Sequence, residues 1–320
     1  MSGIAVIGAG AFGTSLALTL AQDGSDVALW GRDADDIAEM ARARTTGRRL
    51  PGFDLPSSLT PVSEIDAVTS PIALLAIPMQ SLGTFLAEHP SLRDRTLVAC
   101  CKGVDRATGL GPVQTIQAVA PDATAALLTG PSFAADIARG LPTALTLAAA
   151  NIDTATPLQA ALSRPTLRLY RTTDTIGAEL GGALKNVIAL AAGMAIGAGF
   201  GDSARAAVIA RGFAELTRYA TSKGAAMETL QGLSGLGDLV LTCTSEKSRN
   251  FTAGLALGRG EAVPAGTTVE GIATAAALAD EAQRNSLDLP LTIAIHSVAS
   301  GTADVAEAVA ALLARPPKQE

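Results

Sequence analysis

Residues Ile4-Ala-Val-Ile7 make a short apolar run with β-branched residues, and Gly8-Ala-Gly10-Ala-Phe-Gly13 follows it at once. Beyond the last glycine, Thr14-Ser-Leu-Ala-Leu-Thr-Leu20 continues with no breaker, as a helix does. Strand, glycine turn and helix in that order restrict the fold to an open sheet whose first crossover begins at the turn. Each glycine has a physical reason. The first permits the tight turn, the second lets backbone approach a pyrophosphate, and the third lets helix pack on strand. A helix start also presents N–H groups to an anion. Gly8, Gly10 and Gly13 therefore form a dinucleotide-type anion site.

The alternation of strand and helix persists to about Arg171, which predicts a parallel sheet wrapped by helices. Expected strands are Ile4–Ile7, Val27–Trp30, Ile72–Ile77, Thr96–Cys100, Ala125–Leu128, Ala144–Leu147 and Leu167–Tyr170. The run 44–61, rich in Gly, Pro, Ser and Arg, reads as an irregular excursion. After Thr172-Thr-Asp174 the strand signals stop. Helices are expected over Ile176–Ile196, Ala204–Lys223, Phe251–Leu257, Val269–Asn285, Leu291–Val298 and Val305–Ala314. The fold class is thus α/β, an N-terminal doubly wound Rossmann-type sheet (1–175) with a C-terminal all-α domain (176–320) carrying substrate and catalysis. Ligands of open α/β sheets bind beyond the carboxyl ends of the strands, so the active site is expected in the cleft between the halves.

A net charge of −6 and a pI near 5.1 leave no basic stripe for nucleic acid or an anionic membrane. Anionic ligands must be met by local cations. Lysine is scarce, with Lys102, Lys185, Lys223, Lys247 and Lys318 the full set, so a lysine kept inside an apolar stretch points to proton donation. The start lacks the basic and apolar pattern of a signal peptide, and the expected location is cytoplasmic. The apolar run Val187–Gly201 falls short of the roughly 20 residues of a membrane span and reads as a buried helix. Cys100, Cys101 and Cys243 show neither metal spacing nor a disulfide framework, and no metal is expected. His89 and His296 read as structural.

Several polar residues stand where chemistry needs them. At the end of the second strand, where an acidic residue would bind a ribose 2′-hydroxyl, the chain has Gly31-Arg32-Asp33. Arg32 suits a 2′-phosphate, which favours NADP(H), with NAD(H) the alternative that Asp33 keeps open. Ile77-Pro78-Met79-Gln80, Cys101-Lys102-Gly103 and Gly130-Pro131-Ser132-Phe133 each follow an apolar strand, and Lys102 at such an end can meet an anionic substrate. On its helix Lys185 has Gly181, Gly182, Ile188 and Ala189 as neighbours, a small-residue face that can lower its pKa and make it a useful acid. Asp238 and Thr242, one helical turn apart, could hold that ammonium, or could be a helix cap with a back-bonded threonine. Arg249 and Asn250 open a predicted helix within the densely specified run GLSGLGDLVLTCTSEKSRN from Gly232, which points to a phosphorylated ligand.

Taken in order, GAGAFGTSLA from Gly8, CKGVD from Cys101, LTGPSFAADIARGLPTA from Leu128, ELGGALKNVIALAAGM from Glu179, GFGDSARAAVIARGFAE from Gly199 and the run 232–250 resemble the motifs of the bacterial NAD(P)-dependent glycerol-3-phosphate dehydrogenases. The resemblance covers nearly the whole chain. It implies reversible reduction of dihydroxyacetone phosphate to sn-glycerol 3-phosphate for phospholipid synthesis, with homodimers implied too. By resemblance Lys185 is the catalytic lysine, with Lys102, Asp238 and Thr242 around the reacting carbonyl. Gly130, Ser132, Ser248, Arg249 and Asn250 match substrate contacts. Ala11, Phe12, Arg32, Lys102, Ala134, Arg249, Thr268 and Glu270 match cofactor positions. Phe12 stands where a tryptophan is common, and Thr268-Val-Glu-Gly replaces a smaller-residue version before Glu270. A 6-phosphogluconate or hydroxyacid dehydrogenase would share the fold and a helix lysine but is not expected to carry the run 235–250. A NADPH-binding sensor that had lost catalysis would be expected to lack Lys185 or Asp238.

Overall fold

The computed structural model describes residues 3–263 and 269–314. The chain divides into two compact units, Met1–Glu179 and Leu180–Glu320. In the first, the elements are β1 (Ile4–Ile7), α1 (Ala11–Ala21), β2 (Val27–Trp30), α2 (Ala34–Ala43), β3 (Leu59–Val62), β4 (Ile72–Leu75), α3 (Met79–Glu88), β5 (Thr96–Ala99), α4 (Pro112–Val119), β6 (Thr124–Thr129), α5 (Ala134–Ala138), β7 (Thr143–Ala149), α6 (Ile152–Leu162) and β8 (Leu167–Thr172). The long helix α7 (Thr175–Gly197) carries the boundary. After it come α8 (Gly201–Ser222), α9 (Met227–Gln231), a π-helical turn (Leu233–Gly237), α10 (Asp238–Cys243), α11 (Arg249–Gly258), α12 (Glu270–Asn285), α13 (Pro290–Ala299) and α14 (Val305–Leu313).

The eight strands form one sheet in the order β3-β2-β1-β4-β5-β6-β7-β8. From β3 to β6 all neighbours are parallel, with Ile4 opposite both Val27 and Ile72. Apolar residues face both ways: Ile4 and Val6 enter one buried cluster with Leu16, Leu20 and Leu74, whereas Ala5 and Ile7 enter another with Leu82, Leu97 and Ile116. This is the continuous apolar signature of a parallel strand covered on both faces.

Two sheet expectations change. The segment 44–61 is not irregular to its end, since β3 starts at Leu59 and pairs along β2 with Leu29 opposite Pro61. Proline is tolerated because β3 is the edge strand, where one face of the ladder needs no donor. Arg44, at a φ of 54° after α2, staples the excursion by donating to Leu59 O at 3.1 Å and Leu55 O at 3.3 Å. The sheet is also not wholly parallel: β7 runs antiparallel to β6, and β8 then follows β7 in parallel. The connection between β6 and β7 holds only the 5-residue α5, too little to carry the chain back across the sheet for a parallel return.

In the second unit the core gathers Leu190, Leu230, Leu239, Cys243, Phe251 and Ala275. α7 and α11 run side by side with their backbones almost touching. A Cβ added at Gly193 would lie 2.1 Å from Phe251 O, and one at Gly197 would lie 2.3 Å from Leu255 O. The matching order shows that the two helices run the same way, so the start of α11 lies toward the part of α7 that carries Lys185. The 23-residue α7 is longer than the run counted in the sequence and is long and apolar enough to cross a membrane, but most of its apolar stretch is buried within the protein, as in a core helix. Between α8 and α11, outside the helix ranges expected from the sequence, the chain is mostly helical, made of α9, the π turn and α10.

Candidate functional site

The glycine turn is built as its residue types require. Gly8 takes a φ of +119°, and a Cβ there would stand 2.5 Å from Ala76 O. Gly13 packs α1 so closely that its Cβ would meet Gly8 O at 2.0 Å. Gly10 is different, because nothing lies within 4 Å of its missing side chain, and as the N-cap of α1 it offers no side-chain cap. The start of α1, where a helix leaves N–H groups without helical partners, thus lies beside open space that a methyl would enter, which fits a dinucleotide pyrophosphate. Ala11 and Phe12 open the helix half-buried, with Phe12 against the core.

The other loops of this unit follow β2, β4, β5 and β6, which all run with β1, so they collect along one edge of the sheet. Lys102 Nζ donates to Gly130 O at 3.2 Å, and Ser132 Oγ donates to the same carbonyl at 3.1 Å. Gly130 holds a φ of +133°, with Leu145 behind it. Ala134 begins α5 immediately after this turn. At the end of β2, Arg32 is exposed. Its neighbour Asp33 caps α2, accepting from Asp36 N at 3.2 Å, and also accepts from Arg48 Nη2 at 2.7 Å.

The second unit holds a buried ionic cluster. Lys185 Nζ donates to Asp238 Oδ1 at 2.6 Å and to Thr242 Oγ1 at 2.8 Å. The three residues are 6%, 1% and 5% exposed, respectively. Of the two sequence readings of the Asp238/Thr242 pair, the hold on the ammonium is present and the back-bonded threonine with it, since Thr242 Oγ1 also donates to Asp238 O at 2.6 Å, but the cap is not: Asp238 is the first residue of α10 after an N-cap at Gly237 that has no side-chain bond. The small-residue face explains the approach: a Cβ at Gly181 would lie 2.9 Å from Ser234 O, so the π turn packs on α7 and delivers Asp238 to the lysine. An ammonium held by one carboxylate and one hydroxyl is fixed in place and can give up a proton. Cys243 beside it is no nucleophile; burial pushes its thiol up to about 12, with Lys185 pulling the other way.

Two helix starts join this cluster. Ser248 caps α11 by accepting from Phe251 N at 3.3 Å, so its hydroxyl serves the helix. Arg249 is the first residue of α11 and exposed, while Asn250 is buried and accepts from Gly271 N at 2.8 Å. Glu270 opens α12 and accepts from Asn186 Nδ2 at 3.1 Å. Thr268 lies outside the described residues. Asn186 was not singled out in the sequence, although a carboxamide following the lysine in an apolar helix was the available signal. Arg48 carried no local signal at all, because its partner is 15 residues away. His89 packs against Phe85 and Trp30, with ring centroids 4.5 Å and 6.3 Å away.

Comparison with known proteins extends these features over the whole chain. Residues 3–155 match the family described as NAD-dependent glycerol-3-phosphate dehydrogenase N-terminus, and residues 174–310 its C-terminus. The glycerol-3-phosphate dehydrogenase [NAD(P)+] of Paracoccus denitrificans is 57% identical over 320 residues, covering 99% of each chain. That of Ruegeria sp. is 54% identical over 319 residues, with the same coverage of 99% of each. The crystal structure of glycerol-3-phosphate dehydrogenase from Coxiella burnetii superposes with a TM-score of 0.91 at 34% identity, covering 98% of this chain and 99% of that one.

Proposed function

The chain belongs to the NAD-dependent glycerol-3-phosphate dehydrogenase family, and from that premise we propose that it reduces dihydroxyacetone phosphate reversibly to sn-glycerol 3-phosphate for glycerophospholipid synthesis. It is an NAD(P)-dependent oxidoreductase. The observation that carries the reading of the site is the buried Lys185–Asp238–Thr242 cluster. The reduced nicotinamide supplies the hydride that the ketone carbon receives. Lys185 gives the proton that the oxygen needs as it gains charge, and Asp238 and Thr242 hold the ammonium in position.

Around that step the chain's other residues bind and orient. Gly8, Gly10, Ala11, Phe12 and Gly13 hold the cofactor's pyrophosphate, Arg32 takes a 2′-phosphate so that NADP(H) is preferred, and Ala134 and Glu270 complete the contacts. Lys102, Gly130, Ser132, Ser248, Arg249 and Asn250 bind substrate, with Arg249 and Asn250 gripping the remote phosphate so that its binding orients the carbonyl. Lys102 and Arg249 serve the cofactor as well. In this reading the first unit binds dinucleotide and the second carries catalysis. The enzyme works in the cytoplasm as a homodimer, a reading that rests on the family and is open to a native mass measurement.

NADPH oxidation with dihydroxyacetone phosphate tests the activity, and absence of turnover would overturn it. Lys185→Ala should lower kcat at least about a hundredfold while cofactor binding holds. Turnover within a few-fold of the parent would remove Lys185 from the chemistry.

A further inference from the structure

An acidic residue near the end of the second strand of a dinucleotide fold ordinarily accepts from the ribose 2′-hydroxyl. Asp33 stands close to that position, yet both its oxygens are engaged. Oδ1 accepts the Asp36 N–H as the cap of α2 at 3.2 Å, and Oδ2 accepts from Arg48 Nη2 at 2.7 Å. Arg48 comes from the excursion between α2 and β3, and its Nε lies 3.9 Å from Asp36 Oδ1, so one guanidinium spans two carboxylates. Gly47 lets the chain come this close, since a Cβ there would stand 3.1 Å from Asp36 Oδ1.

We propose that Arg48 is a positioning residue that sets cofactor specificity: by holding the Asp33 carboxylate it offsets the charge that would repel a ribose 2′-phosphate, and it withdraws the acceptor that a 2′-hydroxyl would use. Arg32 is then left to meet the phosphate. The inference rests on the assignment of Arg32 made above. It makes specificity a property of three residues, of which Arg48 acts only through Asp33.

Calorimetric titration of the full chain with NADP+ and with NAD+ gives the ratio of the two Kd values without turnover. Arg48→Gln should lower the preference for NADP+ by about twofold to fivefold at low salt, the range of an exposed ion pair, and by less at high salt. The pair is exposed, at 67% and 53% of its side chains. Arg48→Lys should keep part of the preference, as a point charge without the fork. Asp33→Asn removes the charge and keeps the cap, because asparagine caps as well as aspartate. In that background Arg48→Gln should leave the ratio unchanged, with thermal melts confirming that every variant is folded. An unchanged ratio in the parent background would overturn the proposal. So would an equal loss in both backgrounds, which would mean that Arg48 touches the phosphate itself. Arg32→Glu tests the assignment underneath: if it leaves the ratio intact, that assignment fails independently of Arg48.

Discussion

The two candidate site regions of this molecule are made of opposite materials. The glycine turn is backbone: Gly8, Gly10 and Gly13 lie within one contiguous stretch, and what matters is where side chains are missing. The polar groups of the helical unit are side chain, drawn from Lys185, Asn186, Asp238, Thr242, Asn250 and Glu270 on four helices, and all are buried but the half-buried Glu270. The first kind of site is specified locally and fails when an atom is added. The second is specified by tertiary packing and fails when a charge is removed, because a buried ion without its partner costs several kcal/mol.

The largest expected effect tests the side-chain half. Asp238→Asn keeps the shape and the acceptor but removes the counter-charge 2.6 Å from Lys185 Nζ. It should lower kcat roughly a hundredfold or more, because the ammonium loses the anion that holds it in position. A kcat within a few-fold of the parent's would show that Asp238 does not hold the lysine for the reaction. Next is Arg249→Ala, expected to cost about a hundredfold in kcat/KM for dihydroxyacetone phosphate and much less for unphosphorylated dihydroxyacetone. Arg249→Lys should recover only part, lacking the forked contact. An equal loss on both substrates would assign Arg249 to the cofactor or the fold.

The same contrast explains what could be read from the residues. The strand–glycine–helix opening was legible because its signals are adjacent and its geometry follows from φ and the absence of Cβ. Most strands and long helices were legible from apolar runs and their breakers. β3 was not, because Leu59-Thr-Pro-Val62 is short and contains a proline that only an edge strand accepts. Nor was the reversal at β7, which depends on the length of a connection rather than on its composition. The helices inside 224–248 were hidden by glycines that serve close packing: Gly235 sits where a Cβ would lie 1.9 Å from Leu230 O. The partners of Asp33 and of Asn186 could not be read, since tertiary packing alone brings them together.

A smaller effect asks whether the first unit is as free of buried charge as the comparison suggests. Glu179 Oε1 accepts from Val113 N at 2.6 Å at the start of α4. Burial pushes its carboxyl up from 4.5 to about 7, with the N–H bond pulling the other way. A folded-state pKa above the unfolded value means that the native state holds the proton more tightly. The stability it contributes is therefore full below about pH 4.5 and lost as pH rises through about 7. Denaturant titrations should show about 3 kcal/mol of decline across that window. Glu179→Gln should flatten it, and an unchanged slope would show that other groups govern it.

The smallest expected effect separates binding from folding at the backbone site. Gly10 has a φ of −74° and a ψ of 174°, an extended conformation open to alanine. With nothing within 4 Å of the added methyl, Gly10→Ala has no native contact to break. It should leave the unfolding free energy of the cofactor-free protein unchanged or raise it by about 0.5 kcal/mol, through the stiffer unfolded chain. In the proposed cofactor site the methyl would nonetheless stand where the pyrophosphate is placed, and NADP+ and NAD+ should both bind about tenfold more weakly, since each presents the same group there. Calorimetric Kd values beside denaturant curves read the two quantities independently. Weaker binding with undiminished stability would mark Gly10 as a residue kept for its ligand. A loss of stability alongside the loss of binding would mean that the open space at α1 belongs to the fold, and the contrast between the two regions would break at that residue.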